Sequence, residues 1–397
     1  MVNGKYKRVL GFVVLLGLFG TSAAGLPGRS GMPVPPAGAV VVTVGPERCD
    51  FTTIREALGA VPPGSVLELA GGIFTEGNLL VAKDIFIRGS ADQETVIQAK
   101  ESLQVSTERV LWIAEGVTAV LSDLTLRHGR PSGECPRSGG GLINYGTLWM
   151  ERCVISDNAG QCGGGIENRE GFLYAFDCMI LRNEAAGGVT EDNDMSMGSG
   201  GGIKNTRGEL YLENCTLAHN KARKRGGAVK NCCQASLTMR NCTVAHNISA
   251  SGALHSKGAL YIDHCTFAFN RAPNSYAAGI FLASSAVVRN TIVAGNTLGD
   301  MLVELEHPDA EVRVENLWLG IDPAALATFS GDPRLGPLQD NGGYTWTCLL
   351  LPGSPAVDAG SPSDGSPPLD QRGFPRPAGK APDLGAVEMN PEDAKDL

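Results

Sequence analysis

The chain has 397 residues, 19% of them charged, and a formal net charge of −9. An acidic balance without a basic face excludes a nucleic-acid binder. It also disfavours an acidic polysaccharide as ligand, unless a local basic patch or a bound cation offsets the field.

The N-terminus reads as a secretion signal. Lys5, Lys7 and Arg8 precede the apolar run Val9 to Phe19, and Ser22-Ala23-Ala24 supplies small residues at a cleavage site. Residues 1–24 are then the signal peptide, and the mature protein is extracellular, at the cell surface or periplasmic. Uncleaved, the segment would be an anchor, though its apolar run is short for a bilayer. No later segment is apolar enough to span a membrane. Residues 25–39, rich in Pro and Gly, form a flexible leader. Val40 to Val44 is a first strand. Thr53-Ile54-Arg55-Glu56 is a capping-box pattern that opens a short helix with Ala57, Leu58 and Val61 on one face, ended by Pro62-Pro63-Gly64. Short strands follow at Ser65 to Leu69, Leu79 to Val81, Ile85 to Arg88 and Thr95 to Gln98.

From residue 139 a sentence of residues repeats. One half is Gly139 to Asn144 (GGGLIN), returning as Gly163 to Asn168, Gly200 to Asn205, Gly226 to Asn231 and, weakened, Ser251 to Ser256. The other half is Cys-x-x-x-x-Asn: Cys153/Asn158, Cys178/Asn183, Cys215/Asn220, Cys242/Asn247 and Cys265/Asn270, with Thr291/Asn296 as an echo. The cysteines are 25, 37, 27 and 23 residues apart. Such a period, with Gly-rich corners, is a solenoid signature. Each coil has three short strokes with alternating inward residues. The expected fold is all-β, a right-handed three-sheet parallel β-helix spanning 40–325, with the first helix covering its open end. Asn at the corners tolerates left-handed backbone and can stack in ladders.

The repeats resemble those of chlamydial polymorphic outer-membrane proteins and of right-handed β-helix proteins of the pectin-lyase-like superfamily. Asp332 to Leu338, Asn341-Gly-Gly, Leu351 to Gly360, Asp370-Gln-Arg-Gly and Asp383 to Glu388 resemble the choice-of-anchor Q domain. Residues 326–397 are therefore expected to be a C-terminal capping module and tail. The resemblance runs from Val40 to Glu388 and implies an exported surface protein. The sequence departs from it in having no apolar sorting tail, no sortase signal and no autotransporter barrel, which favours release or periplasmic residence.

Five of the eleven cysteines sit at one phase of the repeat and should fill the core. Off phase, Cys135 and Cys162 could pair as a disulfide, and Cys232, Cys233, Cys49 and Cys348 are further candidates. No C-x-x-C spacing points to a metal. The residue before each Gly-stroke Asn runs Ile143, Glu167, Lys204, Lys230, His255. Alternation faces this column outward, about 4.8 Å apart per coil. Glu167, Lys204, Lys230 and His255 are thus candidate catalytic residues on an exposed stripe. By the resemblance, basic residues there would neutralise a uronate and abstract its α-proton. His219 and His246 stack in another column, without a carboxylate partner. The step of 37 hides an insertion near Glu184 to Gly198, whose Glu191, Asp192 and Asp194 could hold Ca²⁺ and could meet Arg223, Lys224 and Arg225. The favoured function is adhesion, or glycan or protein binding without catalysis. The alternatives are a polysaccharide lyase or hydrolase, and a structural spacer.

Overall fold

The computed structural model describes residues 28–132, 137–187, 197–273, 277–321, 326–362, 366–390 and 393. The signal segment, Cys135, and the proposed Ca²⁺ ligands Glu191, Asp192 and Asp194 lie outside the described residues. The chain divides into two compact units, Met1–Met32 and Pro33–Leu397. The described part of the first holds a single turn of 3-10 helix, Arg29–Gly31. Among the described residues all strands belong to the second.

The second unit is a right-handed parallel β-helix. Its first strokes form one nine-stranded sheet, from Leu79–Val81 to Met301–Val303. The second and third strokes join into a 20-stranded sheet that bends at every coil, and Ala159–Gly160, Glu184–Ala185 and Lys221–Ala222 form a small sheet at the remaining corner. The pairings between coils are parallel and in register, so like stacks on like: Leu142 on Ile166 on Ile203 on Val229 on Leu254 on Ile280. All six are fully buried, each contributing about 1.5–3 kcal/mol by leaving water. The five repeat cysteines are core as well, at most 1% exposed and free. All five of these thiols donate to the carbonyl two residues back, for example Cys178 Sγ to Phe176 O at 3.2 Å and Cys242 Sγ to Arg240 O at 3.1 Å. Burial raises the pKa of Cys178 and Cys242, so they stay protonated.

The helix Ile54–Ala60 packs on Val41–Val44 and Leu79–Val81, with Thr53 as its N-cap. Glu76 also accepts from the backbone N–H groups of Ile54 and Arg55, at 2.7 and 3.0 Å. Among the described residues no helix is long and apolar enough to cross a membrane.

The corner asparagines form a ladder of one direction. The Nδ2 of Asn158 donates to Oδ1 of Asn183, and the pattern runs through Asn220, Asn247, Asn270 and Asn296 at 2.9–3.1 Å. Asn296 donates to Asp300 Oδ1 at 2.8 Å, where the ladder ends. A second ladder links Asn144, Asn168, Asn205, Asn231 and Ser256. Left-handed backbone falls elsewhere than expected: on the residue before each Asn. Asp157, Arg182, His219, His246 and Phe269 have φ between +53° and +58°. The Asn side chains turn inward to bond, and the preceding residue makes the bend. Asp and His are among the residues that tolerate it, which gives the His219/His246 pair a structural origin. Their rings stack at 5.1 Å.

The C-terminal module folds back along the flank, over the outer face of the third-stroke sheet. Gln371 Nε2 donates to Thr216 Oγ1 at 3.0 Å, and Gln371 Oε1 accepts from Thr243 Oγ1 at 2.6 Å. Ala386 N donates to Thr266 Oγ1 at 3.0 Å. Cys348 packs on Ala245 and Ala268. Within the module Asp370, Arg372, Arg376, Asp383 and Glu388 form a buried ion network, with Arg376 to Glu388 at 2.8 Å and Arg372 to Asp370 at 3.1 Å.

Candidate functional site

The repeat spacing placed Ile143, Glu167, Lys204, Lys230 and His255 in one column, and the register agrees. The column continues through Trp112 to Leu80 at one end and through Phe281 to Leu302 at the other. It is not an exposed stripe. Glu167 is 0% exposed, Lys204 8%, Lys230 5% and His255 2%. Alternation fixes which side of a strand a side chain leaves by; it does not fix what covers that side. Here the chain ahead of each stroke turns back through a left-handed glycine (Gly163, Gly200, Gly226) and lies over the strand. A Cβ on Gly200 would stand 2.8 Å from the Lys204 Cβ, so only glycine permits the fold-back. Cys162 and Ser199, just before two of these glycines, are buried with the column, and Cys162 hydrogen-bonds the Lys204 ammonium.

The column is charged in the middle, with aromatic residues flanking the charges on both sides. Arg109 lies 5.0 Å over the Trp112 ring, Trp112 stacks on Tyr145 at 5.6 Å, and His255 stacks on Phe281 at 4.3 Å. Glu167 Oε1 meets Arg169 NH2 at 3.4 Å, Thr206 Oγ1 at 3.3 Å and Lys204 Nζ at 3.9 Å. Burial raises the Glu167 carboxyl pKa against the pull of Lys204 and Arg169. For Lys204 burial acts downward most strongly, and Glu167, Cys162 and Cys232 together outweigh it, so its pKa rises. Lys230 has no such partner. Its Nζ makes no hydrogen bond among the described residues, and burial, with Arg225 and Lys257 nearby, lowers its pKa to about 7. Burial, followed by the charges of Lys230, Arg225 and Lys257, pushes His255 down to about 2, so its ring is neutral. His255 Nδ1 pairs with Ser251 Oγ at 3.1 Å, and Nε2 is unpartnered, as are Ser199 Oγ and Glu167 Oε2.

An amine with a pKa near 7 is a usable general base at neutral pH. A cation fixed one coil away can stabilise developing negative charge. Sequence reasoning missed Arg169, Thr206 and Cys232, a second column two residues further along the same strands; aligning that position across the repeats finds it. It also missed Arg109 and Trp112, whose coil is too irregular to align by eye. His219 and His246 lie on another corner and do not join the site. Lys224 N donates to Gly198 O at 2.8 Å, and Arg223 packs against Gly198, so the insertion's described end does meet the basic segment. Among the described residues no cluster of His, Cys, Asp or Glu could hold a metal ion.

A family model described as the right-handed β-helix region matches residues 111–267. No curated protein sequence matches the chain. Among solved structures, pectate lyase Pel9A aligns with a TM-score of 0.53 at 13% identity, over 89% of this chain and 98% of its own. A complex of XylC with xylose gives 0.44 at 10% identity, over 88% and 98%. A pectin methylesterase from Aspergillus niger gives 0.40 at 13%, over 76% and 92%. At 13% identity the likeness to the pectate lyase is one of fold, and the chain is a right-handed parallel β-helix protein.

Proposed function

We propose that the chain acts on an extracellular polysaccharide, with Lys230 as general base. The observation that carries this is the buried Lys230 amine, unpartnered and lowered to a pKa of about 7. Its free base can take a proton from a sugar carbon next to a carboxylate. Lys204, held charged by Glu167, would offset the enolate that forms. The cations Arg169, Lys204 and Arg225 supply the local basic patch that an acidic sugar needs on an otherwise acidic chain. Two further features support the reading: the fold is shared with a pectate lyase, and the N-terminus has the form of an export signal. The test is incubation with a panel of uronate and neutral polysaccharides, following unsaturated products and new reducing ends. Activity should rise with pH through about 7 and fall about 10²–10⁴-fold in Lys230→Ala. Products formed equally well by Lys230→Ala would refute the assignment.

The second reading is an exported surface protein that binds glycans or partner proteins without catalysis. It is favoured by the depth of Glu167, Lys204, Lys230 and His255, at most 8% exposed, and by the resemblance of the C-terminal residues to choice-of-anchor modules. On this reading a glycan array shows binding that survives Lys230→Ala, with no cleavage of any ligand.

A further inference from the structure

Cys232 and Cys233 stand outside the core thiol column, at the corner between first and second strokes. In the two preceding coils that corner has one left-handed residue followed by glycine: Glu170 (φ +58°) before Gly171, and Arg207 (φ +52°) before Gly208. The Cys232 coil is one residue longer there and has no glycine. Cys233 (φ +62°) and Gln234 (φ +66°) are both left-handed, and Ala235 N donates to Cys232 O at 3.3 Å. This is a type I′ turn built from two residues that each disfavour it. Cys232 is buried, its sulfur 3.9 Å from Thr206 Oγ1, while Cys233 is exposed. The two side chains are in hydrogen-bonding reach of each other. Lys204, Lys230 and Arg207 all lie close enough to interact electrostatically with this corner. A partly exposed thiol in an electropositive setting is where reactive cysteines are found.

We propose that Cys232 and Cys233 form a redox-active vicinal pair, closed to a disulfide by exchange with a low-molecular-weight disulfide. The exposed Cys233 loses its proton and attacks one sulfur of that disulfide, releasing one thiolate. Cys232 then loses its proton and attacks the Cys233 sulfur of the mixed disulfide, releasing the second. The small disulfide is reduced to two thiols, which take up the two protons, and the protein dithiol is oxidised. The ring that joins neighbouring cysteines constrains the peptide between them, so closure reshapes the turn. Only Asn231 separates this turn from Lys230, so the redox state of the pair is felt at the edge of the charged column.

The chain itself supplies a clean readout. Trypsin cuts after Lys230 and Arg240, releasing Asn231–Arg240, which holds these two cysteines and no other. The purified full chain is equilibrated with oxidised glutathione or with dithiothreitol, denatured in excess alkylating agent, and digested. After oxidised glutathione the peptide should be unalkylated and lighter than its dithiol by two hydrogen atoms. After dithiothreitol it should carry two alkyl groups. In Cys232→Ser, the mixed disulfide should persist on Cys233, because the resolving thiol is gone. Two alkyl groups after oxidised glutathione would overturn the proposal. So would glutathione retained on Cys233 of the unsubstituted chain, or a crosslink from either cysteine to another part of the protein.

Discussion

Replacing Asn247 by Ala removes one rung from the middle of the long amide ladder. Its Oδ1 accepts from the backbone N–H of Asn220 at 2.9 Å and from Asn220 Nδ2 at 3.0 Å. Its Nδ2 donates to Asn270 Oδ1 at 3.0 Å and to Leu217 O at 2.9 Å. All of these groups are buried. The Asn220 side chain keeps its bond to Ile180 O at 2.8 Å, but the Asn220 backbone N–H loses its acceptor. An orphaned buried donor costs about 1–3 kcal/mol, and each net bond lost costs about 1 kcal/mol more. With the other three of these bonds lost beside the orphaned donor, the expected loss is about 4–6 kcal/mol. Asn247→Asp should be no better than Ala despite its shape, because its second oxygen would face the carbonyl of Leu217 and the amide oxygen of Asn270. The assay is denaturant unfolding followed by circular dichroism, with hydrogen exchange at the Asn220 amide as a local readout. Exchange is needed because repeat arrays depart from two-state unfolding. A loss below about 1 kcal/mol with unchanged exchange at Asn220 would refute the reasoning, as would an Asp variant more stable than the Ala one.

Three further outcomes are expected. The Lys230 pKa is lowered from 10.5 to about 7, so between these values the unfolded chain binds the extra proton and stability rises with pH. Lys230→Met should therefore stabilise the fold most below about pH 7 and lose that advantage by about pH 10, read as denaturation midpoints across pH. Gln234→Gly should raise stability by about 1 kcal/mol, since Gln234 is exposed with φ +66° and glycine relieves the left-handed strain; a destabilised variant would contradict the turn assignment. Gln371→Ala should loosen the C-terminal module, because it strips the bonds to Thr216, Thr243 and Thr345. Limited proteolysis should then cut first between the module and the solenoid, while uniform digestion of both would argue against Gln371 as the pin.

Much of this fold is legible because a solenoid writes its geometry as spacing. The Cys and Asn phases alone put Glu167, Lys204, Lys230 and His255 in register across coils. What spacing could not convey is cover. The glycine fold-backs that bury the column depend on backbone angles at Gly163, Gly200 and Gly226, and the same glycines read equally well as plain corners. The left-handed positions were displaced by one residue for a related reason: an Asn can serve a corner by bending or by bonding, and in the ladder bonding prevails. The seat of the C-terminal module was also beyond sequence reading. Gln371 and Thr243 are 128 residues apart, and no periodicity connects them. The Lys230 site was visible as a residue type in a column, but its unpartnered amine emerges only when Lys204 is seen to take Glu167 for itself.

The long ladder has a polarity that limits how far the ladder itself can grow. Each Asn both accepts and donates, so it can be copied with its coil any number of times. Asp300 accepts from Asn296 through Oδ1 and from Ile321 N through Oδ2 at 2.6 Å, and an ionised carboxylate has nothing to donate onward. A duplicated coil placed before Asp300 would extend the ladder without a fault, whereas one placed after it would begin beside an acceptor with no donor to offer. The carboxylate thus works as punctuation. A tandem array of this kind gains or loses laddered coils upstream of its Asp; beyond it Met301–Val303 and Val312–Leu319 still stack on the coil before, but without an Asn rung.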